Sequence, residues 1–517
     1  MPLGLSADPF HLSIIENMKF AMPQRITVRV YSKLLSRFSE ADIAMLVLAA
    51  LGLMCISNWC FARQDVTMDH PFTITLLEHP TLFLDDHVIG NTINLKRQVE
   101  TPRVLSAQGV VGPDHPWEAG HISHPTVLWD PQHQKFRMYY TARGTSEVTE
   151  GTGGYVCYAE SDDALDWRKP LLDHHPYGEH LKTNIVLNPL GEAMHPFVIR
   201  TPHDDKRPFK GVFRKRNTPP HRTGRGLYTV WSSDGLRWSE PNWISRTKCD
   251  TPPSLAWIPS LGQYFAYTRA QSYHPKPPSY FRMTGVLQSP DFENWTAKAA
   301  INLVSEADGW PYIQNHDLQV CNYGDLMLGF LTVLDVGSPL GYANKRAWRW
   351  RSQMATSRDG WQWRPVLNRE NLSFWTRGLV VKDDVMYFFN QEFRVKTLPV
   401  DRFVGLRQIE SANDGVLETR PLRFKGGDLL VNAEVEPGDI QVELIDEQGP
   451  VVQHQSKPLE GFERDRSRLI RLDGLRHHVV WQHDGGDKTL ADAAAVQPLV
   501  IRFILKGGKL FAFRIAD

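Results

Sequence analysis

The sequence predicts an all-β protein: a five-bladed β-propeller followed by a C-terminal antiparallel β-sandwich, with an N-terminal hydrophobic signal or anchor helix ahead of both. Three observations predict it. Four segments share the pattern Ser-x-Asp-x-x-x-Trp and end at Trp167, Trp238, Trp295 and Trp363, with spacings of 71, 57 and 68 residues. Such spacings exceed a helical solenoid repeat and suit a four-stranded blade with long loops. Five units of apolar strand, polar turn and aromatic strand run through the same region, and the last hundred residues read as short strands of period two.

The N-terminal element rests on twenty uncharged residues, Ile43 to Ala62, lying between Asp42 and Arg63. Residues 1–42 form a basic leader carrying Lys19, Arg25, Arg29, Lys33 and Arg37, which by the positive-inside rule holds the N-terminus in the cytoplasm and sends the rest across. Cys60-Phe61-Ala62 offers small residues at the −3 and −1 positions of a signal-peptidase site. A retained single-span anchor is the alternative, since twenty helical residues at about 1.5 Å each cross a hydrocarbon core of about 30 Å. Either reading predicts export: periplasmic, extracellular, or membrane-anchored and facing outside.

The propeller is expected over residues 75–412. In the repeated motif the Asp caps its own turn, Gly235 and Gly360 supply positive φ, and the Trp returns to pack on a neighbouring blade. The inner strands start at Pro125, Pro196, Pro253, Asp317 and Leu379, and these five starts give the blade count. Asp85 and Asp86 are expected on the strand that closes the ring.

The sandwich is expected over residues 416–517, with strands such as Asp428–Ala433, Ile440–Ile445, Leu499–Leu505 and Lys509–Ile515 separated by turn signals at Gly449 and Gly507-Gly508. Composition agrees with globular β cores, at 42% hydrophobic and 11% aromatic residues. Lys plus Arg and Asp plus Glu are equal at 58 each, which argues against a nucleic-acid partner. Cys157, Cys249 and Cys321 form neither a disulfide framework nor a zinc spacing.

The succession "HPTVLWDPQHQKFRMYYTAR", "YAESDDALDWRKP", "VWSSDGLRWSEP", "NHDLQVCNYGDLMLGFL", "MATSRDGWQWRPV" and "LETRPLRFKGGDLLVNAEV" resembles proteins of glycoside hydrolase families 32 and 43, over about residues 75 to 517. The resemblance implies a glycosidase acting on an oligo- or polysaccharide, with three carboxylates at the starts of the innermost strands. In such a site one carboxyl is protonated and another ionised across the glycosidic bond. This chain departs from that pattern. Of its strand starts only Asp250 and Asp317 are carboxylates, His124 and His195 stand at the first two positions, where the family pattern puts Asp, and the Asn-Asp-Pro, Arg-Asp-Pro and Glu-Cys signatures are absent.

The candidate catalytic residues are therefore Glu118, Asp250, Glu306 and Asp317, with Glu118 and Glu306 reaching the pocket from loops. Trp117 and Trp310 beside those loops are candidate platforms for sugar rings. His124, His195, His316 and Arg377 open inner strands and are candidate substrate ligands, Arg377 clamping an acidic group. No cofactor is expected; a divalent metal held on the axis by the three histidines and Asp317 is the alternative. Two other functions fit the same fold. One is a non-catalytic carbohydrate-binding propeller, for which His124 and His195 in place of Asp would account, and the other is a protein-interaction scaffold.

Overall fold

The structure is a computed structural model and describes residues 73–76, 79–145, 154–188, 193–215, 226–245, 251–275, 278–337, 345–369, 376–446, 451–452 and 455–516. The hydrophobic segment 43–62 lies outside these residues. Among the described residues no helix is long and apolar enough to cross a membrane.

Five antiparallel sheets follow one another along the chain and form the propeller. Their innermost strands are His121–Asp130, Ala193–Arg200, Ser254–Ile258, Ile313–Tyr323 and Leu379–Lys382. The first four blades are built from consecutive strands; the fifth takes its outermost strand, Arg103–Ser106, from before blade one. That strand closes the ring. Asp85 instead lies in a bend just after Thr81–Leu82, where its carboxylate receives Arg358 Nη1 at 2.6 Å and the His87 amide at 3.0 Å. It thereby ties the N-terminal segment to the turn of blade four.

The Ser-x-Asp-x-x-x-Trp segments fold alike because their side chains satisfy their own backbone. In blade one, Ser161 Oγ accepts from the amides of Asp163 and Ala164, and Asp163 Oδ1 from those of Leu165 and Asp166. The fourth position has positive φ in every copy, at Ala164, Gly235, Phe292 and Gly360, so glycine is used in only two of four. The turns also join blades. Tyr139 of blade one donates to Gly235 O of blade two at 3.0 Å, and Tyr267 of blade three donates to Gly360 O of blade four at 3.0 Å. Trp238 and Trp363 then meet those same tyrosines edge-on, at 5.7 and 5.8 Å.

An apolar cluster fills each interface between blades. Met138, Tyr140 and Phe389 pack between blades one and five, and Phe265, Leu318 and Val333 between three and four. Burying several aromatic side chains per interface, each worth about 1.5–3 kcal/mol, holds the ring shut.

The C-terminal sandwich is built on two long strands, Asp428–Asp446 and Leu499–Ala516, paired along their length with register shifts near Glu434 and Gly438. Gly438 and Gly507–Gly508 face each other there with positive φ, and a Cβ on Gly438 would lie 2.0 Å from Lys506 O. Only glycine lets the two backbones come this close. Ile89–Ile93 and Leu95–Val99 pair with Gly415–Thr419 and Val404–Gln408, so residues 89–99 belong to this sheet and not to the propeller. Leu82, Leu84, Phe403 and Ala512 pack with Leu328 and Phe388 of blades four and five, joining the two units.

Candidate functional site

The five inner strands run in one sense, so their starts gather at one end of the propeller axis. Three of these starts are irregular. Pairing slips by one residue between Ser123 and Thr126, between Met194 and Phe197, and between Asn315 and Asp317, which leaves His124, His195 and His316 in β-bulges. A bulge re-aims a side chain away from the ladder, and bulges concentrate beside functional sites. His124 and His195 also have φ of 56° and 53°. A non-glycine residue pays about 1–2 kcal/mol for that conformation. Backbone strain of this kind is a marker of function when it clusters, as it does here.

The two strained histidines touch. Their ring centroids are 4.0 Å apart with planes inclined by 32°, and each Nδ1 is buried with no hydrogen-bond partner. The His195 amide is held by Thr141 Oγ1 of blade one at 2.8 Å. Burial, and then the charge of Arg377, pushes His124 down to about 3. His195 is also held well below its ordinary value, by burial, then by His124 and the guanidinium of Arg214. Both rings are therefore neutral at pH 7.

Asp317 and His316 form the second half of the cluster. His316 Nδ1 lies 3.2 Å from Asp317 Oδ2, and the imidazole meets Trp350 edge-on at 4.7 Å. Burial acts to raise the Asp317 pKa, but the His316 hydrogen bond and the charges of His316 and Arg377 outweigh it and hold the carboxyl below its usual value. Arg377 is 6% exposed and its amide donates to Phe389 O at 2.7 Å. A cavity of about 480 Å³ opens beside these groups, lined by His316, Asp317, Thr332, Trp350, Ser352, Arg377 and Gln391 among others. That volume suits a small oligosaccharide or a sugar ring with its substituents. A second cavity, about 640 Å³, lies at the opposite end of the inner strands, lined by apolar residues such as Val127, Phe197, Leu255 and Val380 together with polar ones such as His79, Arg200 and His203.

The structure separates Glu118 and Trp117 from this cluster. Glu118 is completely buried, not at a pocket mouth. The turn Pro116–Glu118 points it into blade one, where it accepts from Tyr140 at 2.5 Å, Lys169 at 2.7 Å and the Asp114 amide at 3.0 Å. With its oxygens so engaged it has none to offer a substrate. Trp117, 2% exposed, donates to Asn184 Oδ1 at 2.6 Å and stacks on His115. A ring buried to that extent presents no face to a sugar. Trp310 is half-buried and meets Phe281 edge-on at 5.7 Å. Asp250 and the Glu306 side chain lie outside the described residues, Glu306 heading the turn Glu306–Asp308.

Two features of the cavity escaped the sequence reading. Trp350 is 40% exposed on the cavity wall, with Trp348 at 6.1 Å. The alternation Trp348-Arg349-Trp350-Arg351 was the available signal, two aromatics on one face of a strand in blade four. Asn315, next to the His316 bulge, is 1% exposed, and neither of its amide atoms has a hydrogen-bond partner. Among the described residues no cluster of His, Cys, Asp or Glu is arranged to hold a metal ion.

The fold and this axial cluster define a five-bladed propeller with a polar ligand cavity at one end of its axis. No family model matches the chain, and no curated protein matches it. Among solved structures it is similar to a glycoside hydrolase at 15% identity, covering 58% of this chain and 91% of that one, TM-score 0.39. It is also similar to a thermostable family-43 glycoside hydrolase, at 12% identity, 60% and 93% coverage and TM-score 0.34. The third is a Bombyx mori family-32 β-fructofuranosidase, at 11% identity, 76% and 91% coverage and TM-score 0.34. Similarity at this level assigns no chemistry to the present chain.

Proposed function

We propose that the protein is a glycoside hydrolase-like enzyme that acts outside the cytoplasm on a carbohydrate bound in the axial cavity. One observation carries the reading: three bulged strand starts turn His124, His195 and the His316–Asp317 pair toward one end of the axis, beside a cavity that holds a carboxylate, a guanidinium and an exposed Trp. Asp317, kept ionised by His316 and Arg377, serves as the base or nucleophile. Asp250 and Glu306, flanking the inner strands of blades three and four, are nominated as the general acid. Trp350 stacks on a sugar ring, whose C–H faces are apolar. His124 and His195 are neutral, and each has a buried, unpartnered Nδ1 beside Arg377.

The test is release of reducing sugar from a panel of glycans, followed by mass spectrometry. Asp317→Asn is expected to lose about 10²- to 10⁴-fold in kcat, the usual contribution of a general acid–base group, and to lower the melting temperature while still folding, because it removes the carboxylate that offsets Arg377. Turnover undiminished in this variant would refute the assignment. A second reading, carbohydrate binding without turnover, is favoured by Asp317 being the one carboxylate lining the cavity among the described residues. It predicts saturable glycan binding with no product from the wild-type protein.

A further inference from the structure

The cavity contains a buried cation whose hydrogen-bonding edge is unused. Arg377 lines the cavity at 6% exposure, and its Nε and Nη2 have no hydrogen-bond partner. Among the described residues no carboxylate makes an ion pair with it. Asp317 influences it from a distance, but Asp317 Oδ2 is engaged by His316 Nδ1. A buried, unpaired guanidinium costs several kcal/mol, which is why such groups are found with an anion in place.

The surroundings deepen the imbalance. Arg214 and Arg143 act on His195, and Arg269 and Arg282 on His316, in each case disfavouring a further positive charge. Together with Arg377 these make five guanidinium groups that act on the histidines of the cluster. Nε and Nη2 of an arginine lie on one edge and point the same way, so together they match two oxygens of a single oxyanion.

We propose that the ligand of the axial cavity is an anionic sugar, a uronate or a sulfate ester, whose oxyanion group bonds Nε and Nη2 of Arg377. The inference rests on the reading of this cavity as the glycan site. It adds the substrate class. Trp350, on the cavity wall, then supports the ring that carries the charge.

Calorimetric titration of the wild-type protein and of Asp317→Asn with trigalacturonate, a sulfated galactose disaccharide and neutral galactotriose tests this. One anionic probe is expected to bind at least about 10-fold more tightly than galactotriose, and which of the two binds identifies the oxyanion. Arg377→Met is expected to weaken that probe about 10- to 100-fold, the worth of charge-assisted hydrogen bonds. Arg377→Lys is expected to fall between, because it keeps the charge and loses the fork. If Arg377→Met fails to fold, Arg377→Lys and the comparison of probes decide the matter. Galactotriose binding as tightly as both anionic probes, no binding of either anionic probe, or unchanged affinity in Arg377→Lys and a folded Arg377→Met would each overturn the proposal. Cleavage of a neutral glycan with no preference for charge would sink this inference and leave the hydrolase reading standing. Arg377-dependent binding of the anionic probe without cleavage would do the reverse.

Discussion

The paired histidines make the native state acid-labile, by an amount the structure allows to be worked out. In the unfolded chain His124 titrates near its ordinary value of 6.5, and in the native state near 3. Between these values the unfolded chain binds a proton that the native state refuses, so stability is full above about pH 6.5 and falls as the pH drops toward 3. At 1.36 kcal/mol per pH unit, His124 alone costs about 2 kcal/mol between pH 7 and pH 5. His195, also lowered, acts in the same direction and adds to that loss. The groups that set this penalty are Arg377, Arg214, Arg143 and His121 against Asp317. Asp317 is itself lowered from 3.8 and so contributes only below this window. The perturbation is His124→Asn/His195→Asn, because asparagine tolerates positive φ and does not titrate. The assay is chemical denaturation at pH 7 and pH 5. The wild type is expected to lose at least about 2 kcal/mol more than the double variant over that interval. Equal losses in the two proteins would refute the reasoning, since the histidines would then be free to protonate in place.

Three further substitutions separate architecture from site. Glu118→Gln breaks the buried pair with Lys169 and is expected to cost about 3–5 kcal/mol in thermal or chemical denaturation while leaving kcat and KM unchanged; lost activity at unchanged stability would return Glu118 to the site. Gly360→Ala puts a Cβ 2.7 Å from Phe265 at a φ of +76° and is expected to destabilise by about 2–4 kcal/mol, with ligand affinity unaltered. Trp350→Ala is expected to weaken glycan binding about 2- to 10-fold at constant melting temperature, measured by the same titration.

Much of the propeller could be read in the chain because its devices are local. A Ser and an Asp two residues apart satisfy their own turn, and the Trp that follows bonds back to it in three of the four copies, so each motif is complete within seven residues. The ring closure was not legible. Arg103–Ser106 is four residues long, and nothing within it shows that its partner is Val395–Pro399, nearly three hundred residues away. Residues 89–99 were missed as sandwich strands for the same reason.

The site divides along the same line. His124, His195, His316, Asp317 and Arg377 occupy equivalent positions in repeated units, so the repeat itself brings them to one axis. Glu118 was placed by its nearness in sequence to the first inner strand, and its environment is decided by Lys169 and Asn184, which arrive from 51 and 66 residues further on. Position in a repeat carries spatial information that adjacency to a strand does not.

The most direct test of the central claim is a crystal structure of Asp317→Asn with a bound oligosaccharide. The account predicts a sugar ring against Trp350, with the bond to be cleaved beside residue 317 and an acidic group on Arg377. A sugar seated in the second cavity, at the opposite end of the axis, or outside the propeller, would contradict it.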